Sequence, residues 1–143
     1  MHTIADDNAL ILAAQVPSRR EALLGKSLSA LAVLFLIVDS TGKLLEVQPV
    51  IDGTVRLGYS PDIVLTLGVL QLACVVTYLI PRTSVLGAVL LTGYLGGAVA
   101  THVRVESPLF SHMLFPVYLA TLLWVGLVLR DARLRTLLLR RSS

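Results

Sequence analysis

The sequence predicts an all-α fold: a bundle of four transmembrane helices with a short interfacial helix after the first span. Three observations predict it. Apolar residues make up 55% of the 143-residue chain and charged residues only 15%, where a soluble protein carries about 25% charged residues. Mean hydropathy is +0.81, more apolar surface than one small core could bury, so lipid is the better solvent. Four apolar runs approach bilayer length, separated by polar stretches.

Residues 1–21 read as a cytosolic tail. Asp6 and Asp7 stand where a secretory signal would be basic, and Leu10 to Val16 suits a short amphipathic helix. The first span runs from about Leu23 to Val38. Lys26 interrupts its start, but a lysine stem can carry its ammonium to the headgroups. Pro49 to Tyr59 follows, with Val50, Ile51, Val55 and Leu57 set among Asp52 and Arg56. It reads as a helix lying on the membrane surface, with proline in its first turn and Gly58 to end it. A reentrant loop is the alternative.

The second span is Ile63 to Ile80, the third Val85 to Val103, and the fourth Met113 to Leu129. Pro116 falls near the start of the fourth, where a missing N–H is tolerated. Short connections make the second, third and fourth spans antiparallel neighbours. The membrane domain is thus 22–130, and 131–143 forms a cytosolic tail. That tail sets Leu134, Leu137 and Leu138 against several arginines, which suits a basic amphipathic helix on an anionic leaflet. The chain's +3 charge comes without aromatics or a recognition motif in the tail, which argues against nucleic acid.

Orientation follows from the basic residues. With the N-terminus inside, Arg19, Arg20, Lys26, Arg82, Arg130, Arg133, Arg135, Arg140 and Arg141 are cytosolic, and only Lys43, Arg56 and Arg104 lie outside. Nine against three is a positive-inside bias that places both termini in the cytosol.

Several residues could carry chemistry. Gly93 and Gly97 form a Gly-x-x-x-Gly pair with Gly96 and Ala100 beside it, a pattern that lets helix backbones meet. Packing inside the bundle is the first reading, and room for a flat ligand the second. Gln71, Cys74 and Tyr78 share one face of the second span and should point inward, because amide and phenol groups need partners in lipid. Asp39 and Lys43 are spaced i,i+4 if the first helix continues through Gly42. With Arg104 and Glu106 they form a polar cluster on the outer side.

His102 ends an apolar, glycine-rich helix, and an imidazole there could move a proton or meet a quinone oxygen. His102, Glu106 and His112 have the donor types of a metal site, but the loop through Pro108 fixes no ligand spacing, so none is assigned. Cys74 is the single cysteine, which excludes an internal disulfide. No phosphate loop, nucleophile elbow or paired catalytic carboxylates are present.

A family resemblance rests on Asp39 with Lys43, Leu57-Gly58-Tyr59, Leu67-Gly68-Val69-Leu70 and Ile80-Pro81-Arg82-Thr83. It continues through Leu86-Gly87-Ala88 and the run from Leu91 to Ala98. Ala100-Thr101-His102-Val103-Arg104, then Trp124 and Leu129-Arg130-Asp131, complete it. From about Leu23 to Leu139 the chain resembles the DoxX-like family of small four-helix membrane proteins. The resemblance implies a multi-pass protein of a bacterial cytoplasmic membrane, and by analogy a link to quinol oxidase and thiosulfate oxidation. Gln71 departs from the acidic residue expected in many relatives.

Three functions are expected in turn. The first is a non-enzymatic accessory or assembly subunit of a membrane redox system, with a membrane-protein partner or a second copy of itself. The second is a quinone- or small-lipophile-binding component with His102, Tyr94, Gln71 and Tyr78 at its site. The third is a small-solute transporter acting as an oligomer. Nothing in the sequence offers ligands for haem or an iron–sulfur cluster, so a bound quinone or a partner would carry any electrons.

Overall fold

The computed structural model describes residues 16–139, with side chains through Arg135. The helices are α1 (Arg19–Leu44), α2 (Gln48–Arg56), α3 (Ile63–Leu79), α4 (Ser84–Arg104), α5 (Phe115–Arg130) and α6 (Ala132–Leu139). One π-helical turn, Leu109–Met113, precedes α5, and there is no strand among the described residues. α1, α4 and the stretch Leu109–Arg130 are long and apolar enough to cross a bilayer. α3 has 17 residues, roughly 25 Å of helix, against a hydrocarbon core of roughly 30 Å. Leu31, Leu34, Val69, Leu86 and Val89 are among many large apolar side chains left exposed on the bundle's outside. That is the surface of a membrane protein in contact with lipid.

α1 begins earlier and ends later than its apolar run. Ser18 caps it: its hydroxyl accepts from the Glu21 N–H at 3.2 Å, and its own N–H donates to the Glu21 carboxylate at 2.8 Å. This reciprocal pair satisfies two of the first turn's orphan donors. At the other end the helix continues through Gly42 to Leu44, which puts Asp39 and Lys43 on one helical face. It stops in a Schellman motif, with Val47 N–H bonded to Gly42 O and Glu46 N–H to Lys43 O. α4 stops the same way, through Ser107 to His102 and Glu106 to Val103. Glu46 and Glu106 therefore hold left-handed backbones, at φ 48 and 52, a conformation that costs a non-glycine residue about 1–2 kcal/mol.

The four long helices close a ring in which α1 packs on α3 and α5, and α4 packs on the same two. α2 covers one end of this ring and α6 the other. Ala32, Val33, Leu36, Val75, Tyr78, Ala88, Leu91, Leu123 and Leu127 fill the centre. The helices approach through single glycines. A Cβ on Gly25 would lie 2.7 Å from Gly126 O, and one on Gly126 would lie 2.4 Å from the Ser29 hydroxyl. On Gly68 it would meet the Lys43 side chain at 2.8 Å, and on Gly87 the Tyr78 backbone nitrogen at 2.2 Å.

The expected crossing through Gly93, Gly96 and Gly97 is not found among the described residues. A Cβ at any of the three meets nothing within 4 Å, and Ala100 is exposed. The reason is the rotation of α4, which turns Gly87, Ala88, Leu91 and Leu95 into the bundle instead.

At the α6 end, Asp131 caps the last helix by accepting from the Arg133 and Leu134 N–H groups. Leu134 joins the core. Arg135 reaches across to Glu21, with one N–O distance of 3.0 Å and a second of 3.4 Å. This contact holds Arg135 further above its ordinary pKa. The helix expected over 10–16 lies outside the described residues apart from Val16, as do the side chains of Leu137 and Leu138.

These crossings set an expectation for the glycines. Ala in place of an exposed helical glycine gains about 1 kcal/mol of propensity, whereas an added methyl in a full core costs about 1–3 kcal/mol. Gly87→Ala is expected to lower the thermal unfolding midpoint in detergent, and Gly96→Ala to leave it unchanged or raise it.

Candidate ligand-binding site

A cavity of about 930 Å³ opens at the α2 end of the ring. Phe35 and Leu36 of α1, Leu67 and Leu70 of α3, Leu95 of α4 and Leu119 of α5 give it apolar walls. Val50, Gly53 and Thr54 of α2 roof it. Gly93 and Gly97 line its α4 side, so their missing side chains contribute space to the cavity. The edge-on contact of Phe35 with Phe115, at 4.9 Å between ring centres, stiffens the wall between α1 and α5.

A polar network sits among these walls. Lys43 pairs with Asp39 one helical turn earlier. The lysine side chain is only 13% exposed and the aspartate 35%, so the pair gives up much of its hydration and needs further partners. Lys43 Nζ donates to Gln71 Oε1 at 3.0 Å, and the Tyr94 hydroxyl donates to the same oxygen at 2.9 Å. Gln71 Nε2 in turn donates to Leu36 O at 3.0 Å. Two donors on one side and a carbonyl on the other fix the amide's orientation. Three helices, α1, α3 and α4, are thus joined through one fully buried glutamine.

Asp39 already supplies the counter-charge to Lys43, and a carboxylate at 71 would turn an acceptor toward Leu36 O. With Asp39 and Gln71 each taking one N–H, Lys43 keeps one donor for a ligand.

The rim is built from the ends of α2 and α4. Arg104 donates to Leu57 O at 2.7 Å and lies 6.0 Å from the centre of the Tyr59 ring. Gly58, at φ +83, makes the turn that puts this carbonyl there. Thr101 gives its hydroxyl proton to Gly97 O at 2.9 Å, so Tyr59 is the donor in their 2.9 Å contact. His102 Nδ1 meets the Ser107 hydroxyl at 3.0 Å, and the His102 and His112 rings stand edge to face at 5.8 Å. His102, His112 and Glu106 all line the cavity. Among the described residues, no three histidine, cysteine or acidic side chains gather closely enough to hold a metal ion.

The structure brings His102, Tyr94 and Gln71 to one cavity, with Asp39, Lys43 and Glu106. It does not bring Tyr78 there. Tyr78 lies two helical turns away, roughly 10 Å along α3, where its hydroxyl donates to Leu123 O at 2.9 Å and accepts from Ser29 at 2.8 Å. Tyr78 and Gln71 share a helical face, and distance along the axis separates them. Arg104 stands at the rim, where it holds the Leu57 carbonyl. Tyr59, Thr101 and Phe35 were not foreseen. Their signal was weak, since only the fold of the loop after α2 brings Tyr59 against α4.

The network predicts graded losses. Gln71→Leu removes three hydrogen bonds, each worth about 1 kcal/mol, and should lower stability by about 2–3 kcal/mol in detergent unfolding. Tyr94→Phe removes one and should cost about 1 kcal/mol.

No curated protein and no solved structure gives a significant match to this chain. The family model described as the DoxX-like family matches residues 27–126, a stretch that includes all four walls of the cavity. The chain belongs to the DoxX-like family.

Proposed function

We propose that this protein spans a bacterial cytoplasmic membrane four times, with both termini inside, and binds a small lipophile of the quinone class in the α2-end cavity. The single observation that carries this reading is an apolar chamber of about 930 Å³ with a hydrogen-bonded ammonium, amide and phenol in its wall. Ligand sites are commonly of this size, mostly apolar with a few convergent polar groups. A fourth span through α3 is supported by its lack of any charged residue from Ile63 to Leu79. The orientation is supported by the basic residues, which belong mainly to the α6 end.

The donor set suits a quinone. Its carbonyl oxygens are acceptors, and the chain offers the remaining Lys43 N–H and the rim imidazole of His102 as partners. When bound, a quinone supplies electron and proton transfer that side chains lack. Asp39 holds the ammonium in place, Gln71 sets its direction, and the leucines and phenylalanines exclude water. His102 and His112 stand where a proton could enter or leave. The accessory-subunit role fits beside this one, and one feature favours it: Gly96 and Ala100 of α4 lie off the cavity on an exposed face, open to a partner helix.

Two glycines separate the readings. Gly97→Leu should fill the cavity while the protein still folds, and extraction with organic solvent should then recover less copurifying lipophile by mass spectrometry than from the wild type. Gly96→Leu should leave that lipophile in place and weaken any association with a partner or second copy. Equal lipophile recovery from wild type and Gly97→Leu, both folded, would refute the binding reading.

A further inference from the structure

The α6 end carries a second concavity that the ligand cavity does not involve. It is a groove of about 430 Å³ on the outside of the bundle between α1 and α3, closed at one end by Arg130 of α5. Its length is apolar. Ala30, Val33, Leu34 and Ile37 of α1 line it, and their spacing of three and four residues makes one strip parallel to the helix axis. Lys26, one turn before Ala30, and Arg130 stand together at the α6 end of that strip.

Arg130 is held in an unusual state. Its guanidinium lies 5.0 Å from the centre of the Tyr78 ring, and that ring is locked by the bonds of its hydroxyl to Ser29 and Leu123 O. Nη2 of Arg130 is shielded from solvent and has no hydrogen-bond partner among the described residues. The nearest acid in sequence, Asp131, is occupied through Oδ1 as the cap of α6. Glu21, the other acid at this end among the described residues, is paired with Arg135. A buried guanidinium donor without an acceptor is costly, and the acceptor it matches best is a planar or tetrahedral oxyanion taken by two N–H groups.

We propose that this groove is a binding site for an acidic phospholipid, with the headgroup phosphate on Arg130 and Lys26 and one acyl chain along Ala30, Val33, Leu34 and Ile37. The groove faces the lipid-exposed outside of a membrane protein, its cations sit at one end of an apolar strip, and the strip runs as an acyl chain runs. A free phosphate would use the cations and leave the strip uncovered. The site is independent of the quinone-class reading, because it shares no residue with the α2-end cavity.

The test is native mass spectrometry of the full-length detergent-purified chain, offered phosphatidylglycerol or phosphatidylcholine with identical acyl chains. Retention of phosphatidylglycerol should exceed that of phosphatidylcholine by about tenfold, because both lipids offer the phosphate but choline brings its own cation against Lys26 and Arg130. Arg130→Gln should abolish the preference, and Arg133→Gln, on the exposed side of α6, should keep it. Ala30→Phe should reduce retention of both lipids by filling the strip while leaving the charges in place. Thermal unfolding of each variant reports whether it is folded, and the wild-type comparison of the two lipids stands without any variant. Equal retention of the two lipids by the wild type would overturn the proposal. So would full phosphatidylglycerol preference in folded Arg130→Gln, or displacement of the lipid by millimolar inorganic phosphate.

Discussion

The structure depends on one constraint: an ion pair placed among apolar helices must be held by partners that cannot leave. Asp39 and Lys43 stand one turn apart on α1, and most of the lysine side chain is hidden from water. In such a setting the attraction between two charges barely repays their lost hydration unless further hydrogen bonds complete the site. Gln71 completes it. Its oxygen takes Lys43 and Tyr94, and its nitrogen holds Leu36 O. The same three bonds that satisfy the charges also join α1, α3 and α4 around the cavity, so polar satisfaction and bundle geometry are one problem with one solution.

The glycines solve a second problem, and their division explains why the cavity exists at all. Gly25 with Gly126, Gly68 and Gly87 bring helices together at the ring's crossings. Gly93 and Gly97 lie where no neighbour follows, and the space their side chains would occupy becomes part of the chamber. Close contact at one set of positions and open volume at the other come from the same residue type. What differs is which way each helix is turned.

That distinction marks how far the sequence was legible. The long helices and the short helix after the first of them followed from apolar runs, prolines and glycines, whereas the caps at Ser18, Glu46, Glu106 and Asp131 did not; α3 and α4 match their apolar runs within a residue, and α1 outruns its own at both ends. The Asp39–Lys43 pair and the inward direction of Gln71 followed from spacing and from the rule that polar groups in lipid find partners. The role of each glycine did not follow. A Gly-x-x-x-Gly pattern lies on one helix, whereas the real crossings pair single glycines with backbone on another helix, and the rotation that decides this is a tertiary outcome. Tyr78 shares a face with Gln71 in the sequence, and only the structure shows their separation in height. The Nη2 of Arg130, without a partner among the described residues, belongs to the same class, since only the packed structure shows an arginine shielded from solvent beside Tyr78.

Asp39 and Lys43 act as a mutually dependent, partly buried pair at the wall of the cavity. A double-mutant cycle of Asp39→Asn and Lys43→Met, read by chemical unfolding in detergent, measures that dependence. Each single change strands a partner in a poorly hydrated site, so each should be more destabilising than the double change, in which both charges are gone. Single losses that simply add in the double variant would contradict the account, because they would show two independently solvated charges.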